Sequence, residues 1–191
     1  TGPIFVVCWL LFNDAPSSRY LAAIIPLAIT LQFALIGLRV IKDPSSVEAM
    51  SRSGDPREIL RGPLFYGIVI VIITIFFWKN HIGIIALMMM CGGDGLADLI
   101  GKQYGKMKLP WSKKKTIIGS LAVLVGGFFL SLIGLWIYSL AGALSGPLNS
   151  HFKPLLIISL VACLVESLPV SDIDNVTVPT ASIIAGYLLY L

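Results

Sequence analysis

Residues 82–105 read IGIIALMMMCGGDGLADLIGKQYG. The run is apolar as far as Cys91 and then admits two carboxylates, Asp94 and Asp98, before any break signal ends it. At 1.5 Å per residue, a helix over these positions is long enough to cross about 30 Å of hydrocarbon. An ionisable group inside such a helix costs about 2.5–3.5 kcal/mol on insertion scales, so it needs a partner, an ion or a wet cavity. This stretch therefore reads as a membrane helix whose acids are functional candidates.

The rest of the chain has the same character. Of 191 residues, 57% are hydrophobic and 13% charged, against about a quarter charged in a soluble domain, which excludes a water-soluble globule. The apolar runs number seven: Pro3 to Phe12, Tyr20 to Val40, Leu64 to Trp78, Ile82 to about Gly105, Thr116 to Leu140, Pro154 to about Leu168, and Val178 to Leu191. The expected fold is all-α, a polytopic membrane bundle of six to seven transmembrane helices forming a single domain over residues 1–191. Ala141 to Lys153 reads as an interhelical loop. The first run is too short to span, and Thr1 opens inside it, so residues upstream are expected to be missing. No basic leader marks a signal or transit peptide. Cys8, Cys91 and Cys163 stand far apart with no C-x-x-C pair, which suggests neither a disulfide framework nor a thiolate zinc site.

Charge orients the bundle. With the helices alternating sides, Arg39, Lys42, Arg52, Arg57, Arg61, Lys102, Lys106, Lys108, Lys113, Lys114 and Lys115 fall on one side, and Arg19, Lys79 and Lys153 on the other. The basic side is expected to face the cytosol, or the stroma in a plastid. The net charge of +4 then reflects topology. No basic stripe interleaved with aromatics points to nucleic acid.

Asp94, Asp98, Gly101 and Gly105 recur at helical spacing and share one face. Two carboxylates one turn apart suit Mg²⁺, a hard cation that prefers oxygen ligands and brings substrate phosphates with it. The glycines would let a bulky anion approach; equally, they would serve close helix packing, with the aspartates paired to Lys102 or a neighbouring helix. The loop that follows, Lys106 to Thr116, reads KMKLPWSKKKT. Lys113, Lys114, Lys115 and the Thr116 hydroxyl lie at a helix N-terminus, where unsatisfied N–H groups and the helix dipole favour phosphate. The alternative is an ordinary positive-inside anchor. An acidic pair and a basic cluster on one membrane face are together what a nucleoside triphosphate and its metal require.

Glu166 and the loop after it, with Asp172 and Asp174, are expected on the same face, as are Arg57 and Arg61, which would grip phosphate bidentately or act as anchors. His81 and His151 fall on the opposite side, as interfacial residues, so the base that activates a nucleophile would be a carboxylate, Asp98 or Glu166. A Walker A spacing is absent, and GDGLAD fails the G-x-G-x-x-G pattern at its last position.

Residues 93–120, GDGLADLIGKQYGKMKLPWSKKKTIIGS, resemble the signature of the polyprenol kinases, and most closely that of the phytol kinases of plants and cyanobacteria. SRSGDPREILRGPLFY, Ser51 to Tyr66, and ESLPVSDIDNVTVP, Glu166 to Pro179, are similar to further segments of that family. The resemblance implies transfer of the terminal phosphate of a nucleoside triphosphate, typically CTP, to the hydroxyl of phytol or a related isoprenoid alcohol, feeding tocopherol synthesis. In a plant it implies a chloroplast membrane. Asp94, Ala97, Gly101, Gly105, Lys114, Lys115, Thr116 and Gly119 also match the looser pattern shared with dolichol kinases and phosphatidate cytidylyltransferases. Ile118 stands where those relatives carry Glu, which argues against cytidylyltransferase activity. The family's upstream Arg-Lys-x-x-His element is missing.

The site expected on these grounds places Asp94, Asp98, Lys114, Lys115 and Glu166 in the chemistry. Gly101, Gly105, Lys113, Thr116, Gly119, Arg57, Arg61, Asp174 and Asn175 would bind the nucleotide and its phosphates, and Asp94 and Asp98 would hold Mg²⁺. The partners are an isoprenoid alcohol, a nucleoside triphosphate such as CTP, and the lipid bilayer. Competing readings are a farnesol or geranylgeraniol kinase, a cytidylyltransferase-like enzyme and, from another class, a cation transporter.

Overall fold

The computed structural model describes residues 2–112, 115–169 and 173–191, together with the backbone but not the side chains of Asp94 and Asp98. Lys113, Lys114 and Asp172, named above as candidates or neighbours of candidates, lie outside the described residues. The chain is a bundle of α-helices: α1 (Gly2–Cys8), α2 (Ser18–Gly37), α3 (Pro44–Met50), α4 (Gly62–Phe76), α5 (His81–Met88), α6 (Gly95–Tyr104), α7 (Ile117–Leu140), α8 (Phe152–Ser167) and α9 (Asp174–Tyr190).

Local chemistry sets the helix ends. The Asn80 side chain accepts from Ile82 N at 2.8 Å and starts α5, and Thr116 Oγ1 accepts from Gly119 N at 3.1 Å and starts α7. Asp43 caps α3 through Ser46 N at 3.2 Å, with Pro44 at the first helical position. The chain turns out of α2 and α4 at Arg39 and Lys79, whose φ values of 61° and 52° are the left-handed conformation that ends helices.

Five helical runs are long and apolar enough to cross a bilayer: Ser18–Gly37, Pro56–Phe76, His81–Tyr104, Ile117–Leu140 and Leu148–Ser167. The expectation of six to seven is not reached on length among the described residues. Helix α9 has 17 residues and so extends about 25 Å, and Gly2–Leu11 is shorter still.

The run that opened the sequence analysis lies at the centre. Ile82, Ile84, Ile85, Ala86, Leu87, Met88, Met89 and Met90 are all buried, as expected for a helix apolar on every side. Helices α1, α4, α7 and α9 pack around it. The outward faces of α2, α7 and α8 carry exposed Leu, Ile, Val and Phe, including Ile24, Ile25, Leu121, Val125, Phe129 and Leu160. This inverted pattern, oily outside as well as inside, is that of a bundle solvated by lipid.

One departure from a single straight helix matters. Between α5 and α6, Met89–Asp94 winds as a π-helix, a geometry that recurs at functional sites. Spacing at 100° per residue therefore does not carry across it, and α6 presents its faces at a different rotation from that extrapolated from α5.

Candidate active site

Polar groups gather at the two ends of the bundle. At one end, Lys79 Nζ donates to Asp14 at 2.7 Å and to the Phe12 carbonyl at 2.8 Å. His81 stacks near His151 and Tyr190 there, with ring centroids 5.2 and 4.2 Å away. His151 is buried within the protein. Its Nε2 faces the Ser145 carbonyl at 3.0 Å and its Nδ1 the Tyr190 hydroxyl at 2.8 Å. Because a carbonyl only accepts, Nε2 carries the proton and Tyr190 donates to Nδ1. Among the described residues both histidines thus lie at the end away from the acidic motif.

The other end collects the motif segments. After α6 the chain forms a small antiparallel hairpin: Lys108 pairs with Thr116, Leu109 N donates to Lys115 O at 3.0 Å, and Ile117 N to Met107 O at 3.1 Å. The turn is closed by Ser112 N on Leu109 O at 3.1 Å, and Ser112 Oγ accepts from Lys115 N at 3.2 Å. The hairpin delivers Thr116 to the start of α7 and Lys115 to its base.

Lys115 reaches across to the last turn of α8 and the first turn of α9. Its ammonium donates to Glu166 Oε1 at 2.6 Å and to Asp174 Oδ2 at 2.9 Å, and the three side chains are only 15%, 6% and 18% exposed. Burial pulls the Lys115 pKa down, but the hydrogen bonds and charges of Glu166 and Asp174 together outweigh it and leave it above the ordinary 10.5. Asn175, next to Asp174, donates to the Gly62 carbonyl at 3.3 Å. That bond ties α9 to the residue following Arg61, so the three segments singled out in the sequence meet here. Arg57 sits in the 3₁₀ turn Pro56–Leu60, where its backbone N–H donates to Asp55 at 3.0 Å.

The glycines of the motif pack helix against helix. A Cβ on Gly101 would lie 3.1 Å from Thr116 Oγ1 and 3.5 Å from Gly119 Cα, and one on Gly119 would lie 3.2 Å from the Ala97 carbonyl. A Cβ on Gly105 would meet the Gly101 carbonyl and press on Thr116 at 2.6 Å. Of the two uses open to these glycines, the geometry fills the packing one, and it brings the Asp94–Asp98 turn against the N-terminus of α7.

Three elements were not foreseen. Trp111 Nε1 donates to the Ser167 carbonyl at 2.9 Å, Ser112 braces Lys115, and the π-turn precedes Asp94. The first two join positions too distant in sequence, or too ordinary in type, to signal themselves. The CGGDG glycines were the visible mark of the third.

Relatives with curated names align along the whole chain. The Glycine max protein named "Probable phytol kinase 1, chloroplastic" is 39% identical over 193 residues, covering 100% of this chain and 64% of that protein. "Phytol kinase 1, chloroplastic" of Arabidopsis thaliana is 38% identical over 193 residues, with the same coverage of 100% and 64%. The chain is similar to the phytol kinases from end to end. It is likewise similar to "Farnesol kinase, chloroplastic" of Arabidopsis thaliana, 38% identical over 194 residues and covering 99% of this chain and 62% of that protein. The chain spans 62–64% of the length of these relatives. No protein-family profile matches it, and no solved structure does. All the segments that meet at the Lys115 end lie inside the alignment to the phytol kinases, which covers the whole chain.

Proposed function

We propose that this chain is the membrane kinase region of a phytol kinase, transferring the terminal phosphate of CTP or another nucleoside triphosphate to phytol. The observation that carries the reading is the convergence of the hairpin, the α8 end and the α9 start on Lys115, at the end of the bundle to which the acidic α6 turn is packed. The names of the relatives support the alcohol class and a chloroplast membrane. Farnesol kinase is the neighbouring reading.

In the reaction, the alcohol oxygen attacks the terminal phosphorus as the bond to the bridging oxygen breaks. The nucleoside diphosphate leaves and the hydroxyl proton passes to a carboxylate. Positioning and charge stabilisation do most of the work in such a transfer. Lys113 and Lys114, the start of α7 and the arginines Arg57 and Arg61 would neutralise the triphosphate, with Asp98 as base. Two carboxylates four residues apart are a fitting oxygen donor set for Mg²⁺. Asp94 and Asp98 would hold the ion, which would spread the charge of the phosphates. The lipid-facing helices would take the isoprenoid tail and leave its hydroxyl at the polar end, where a water-soluble nucleotide arrives.

The test is purified protein in Mg²⁺-supplied micelles, offered CTP and ATP in turn with phytol, geranylgeraniol and farnesol, with the phosphorylated lipids identified. Phytyl phosphate from CTP is expected, and Asp94→Asn should lower turnover by about a hundredfold or more. Full activity of Asp94→Asn would overturn the site assignment. Farnesyl phosphate as the dominant product would move the chain to the farnesol branch.

A further inference from the structure

The hairpin between α6 and α7 is fastened to the end of α8 at two points. One is Lys115 on Glu166 and Asp174. The other is the Trp111 indole N–H on the Ser167 carbonyl, one residue beyond Glu166. Trp111 sits in the turn and Lys115 on the returning arm opposite Leu109, so the bonds hold different parts of the hairpin. A carbonyl at a helix C-terminus has no partner within its own helix and is a strong acceptor. The Trp111 ring is itself 56% exposed, so burial of the ring does not account for its position. Lys113 and Lys114 lie between the two fastened residues in the chain.

We infer that Trp111 is a positioning residue: its indole N–H bond to the end of α8 holds the hairpin, and with it Thr116 at the start of α7, in place for the triphosphate. This rests on the kinase reading above. It concerns a residue outside the carboxylate, lysine and arginine set that the reading uses. An exposed tryptophan at a membrane-facing end could equally be an interfacial anchor, for which the aromatic ring and not its N–H is what counts. Phenylalanine separates the two, because it keeps the ring and removes the donor.

The experiment compares Trp111→Phe with the full wild-type protein in micelles by two readouts. The first is the rate of trypsin cleavage after the hairpin lysines, which needs no turnover. The second is steady-state kinetics with nucleotide and alcohol varied separately. Loss of one net hydrogen bond predicts hairpin cleavage about fivefold faster and a nucleotide KM about fivefold higher, with kcat and the alcohol KM within about twofold. Cleavage at other sites should be unchanged, which excludes general unfolding as the cause. Wild-type cleavage rates and nucleotide KM in Trp111→Phe would overturn the inference, as would a fall confined to kcat. If neither protein phosphorylates any alcohol while Trp111→Phe is cleaved faster, the kinase reading fails and the fastening itself stands.

Discussion

Among the described residues, Lys115 is a cation whose side-chain partners Glu166 and Asp174 are both carboxylates, held where little water reaches. Charge pairs of this kind are costly to break from one side, because the groups left behind lose a buried counter-charge. Lys115→Met should therefore destabilise the protein by about 3 kcal/mol, read as a lower melting temperature in micelles. Its pKa direction gives the pH dependence. The folded value lies above the ordinary 10.5, so the ammonium contributes stability that is complete below that pH and disappears as pH rises through the folded value. The gap in melting temperature between wild type and Lys115→Met should be constant from neutral pH to about 10 and close above 10.5. Sequence alone named all three members of this cluster. It could not pair them, because they are 51 and 59 positions apart and nothing in the spacing of a loop lysine encodes such a partner. The pairing also gives Lys115 a defined task apart from the two lysines before it.

Helices α6 and α7 approach closely where Gly101 and Gly105 face Thr116 and Gly119. Gly105→Ala places a methyl against the Gly101 carbonyl and Thr116, and overpacking of this sort costs about 1–3 kcal/mol. Gly95, at the start of α6, has nothing within 4 Å of where its Cβ would stand. Gly95→Ala should leave stability unchanged or raise it by up to about 1 kcal/mol through helix propensity. Thermal melting of the two variants side by side checks the contrast. The helices themselves were readable. Thr116 to Leu140 and Pro154 to about Leu168 lie within two residues at each end of Ile117–Leu140 and Phe152–Ser167, because hydropathy and capping residues agree there. The π-turn at Met89–Asp94 escaped, since apolar composition on every side of α5 leaves no periodicity from which a change of winding would show. Helix α3 escaped for the opposite reason: it is a short polar helix marked by its Asp43 cap and Pro44 alone.

On the scale of the whole molecule, side-chain contacts separate two polar ends. The Lys79–Asp14 pair and the His81, His151 and Tyr190 group occupy one, and the Lys115 cluster with the Gly62–Asn175 bond the other. The charge asymmetry of the sequence had already divided the loops in this way, since helices that alternate sides leave few ways to allot fourteen basic residues. Single cysteines introduced at Ser145 and at Lys108, in a chain whose three native cysteines are replaced, should react with an impermeant thiol reagent from opposite sides of sealed vesicles. Labelling of both from one side would overturn the bundle topology. The central helix carries a last consequence. Ile84 to Met90 are screened from lipid on every side, so adaptation to a thicker or thinner membrane falls on the outer ring of helices. The acidic turn that continues from this inner post keeps its depth relative to the surrounding protein. A change of host lipid should shift the tilt of the periphery and leave the Lys115 end at the same height above its own core.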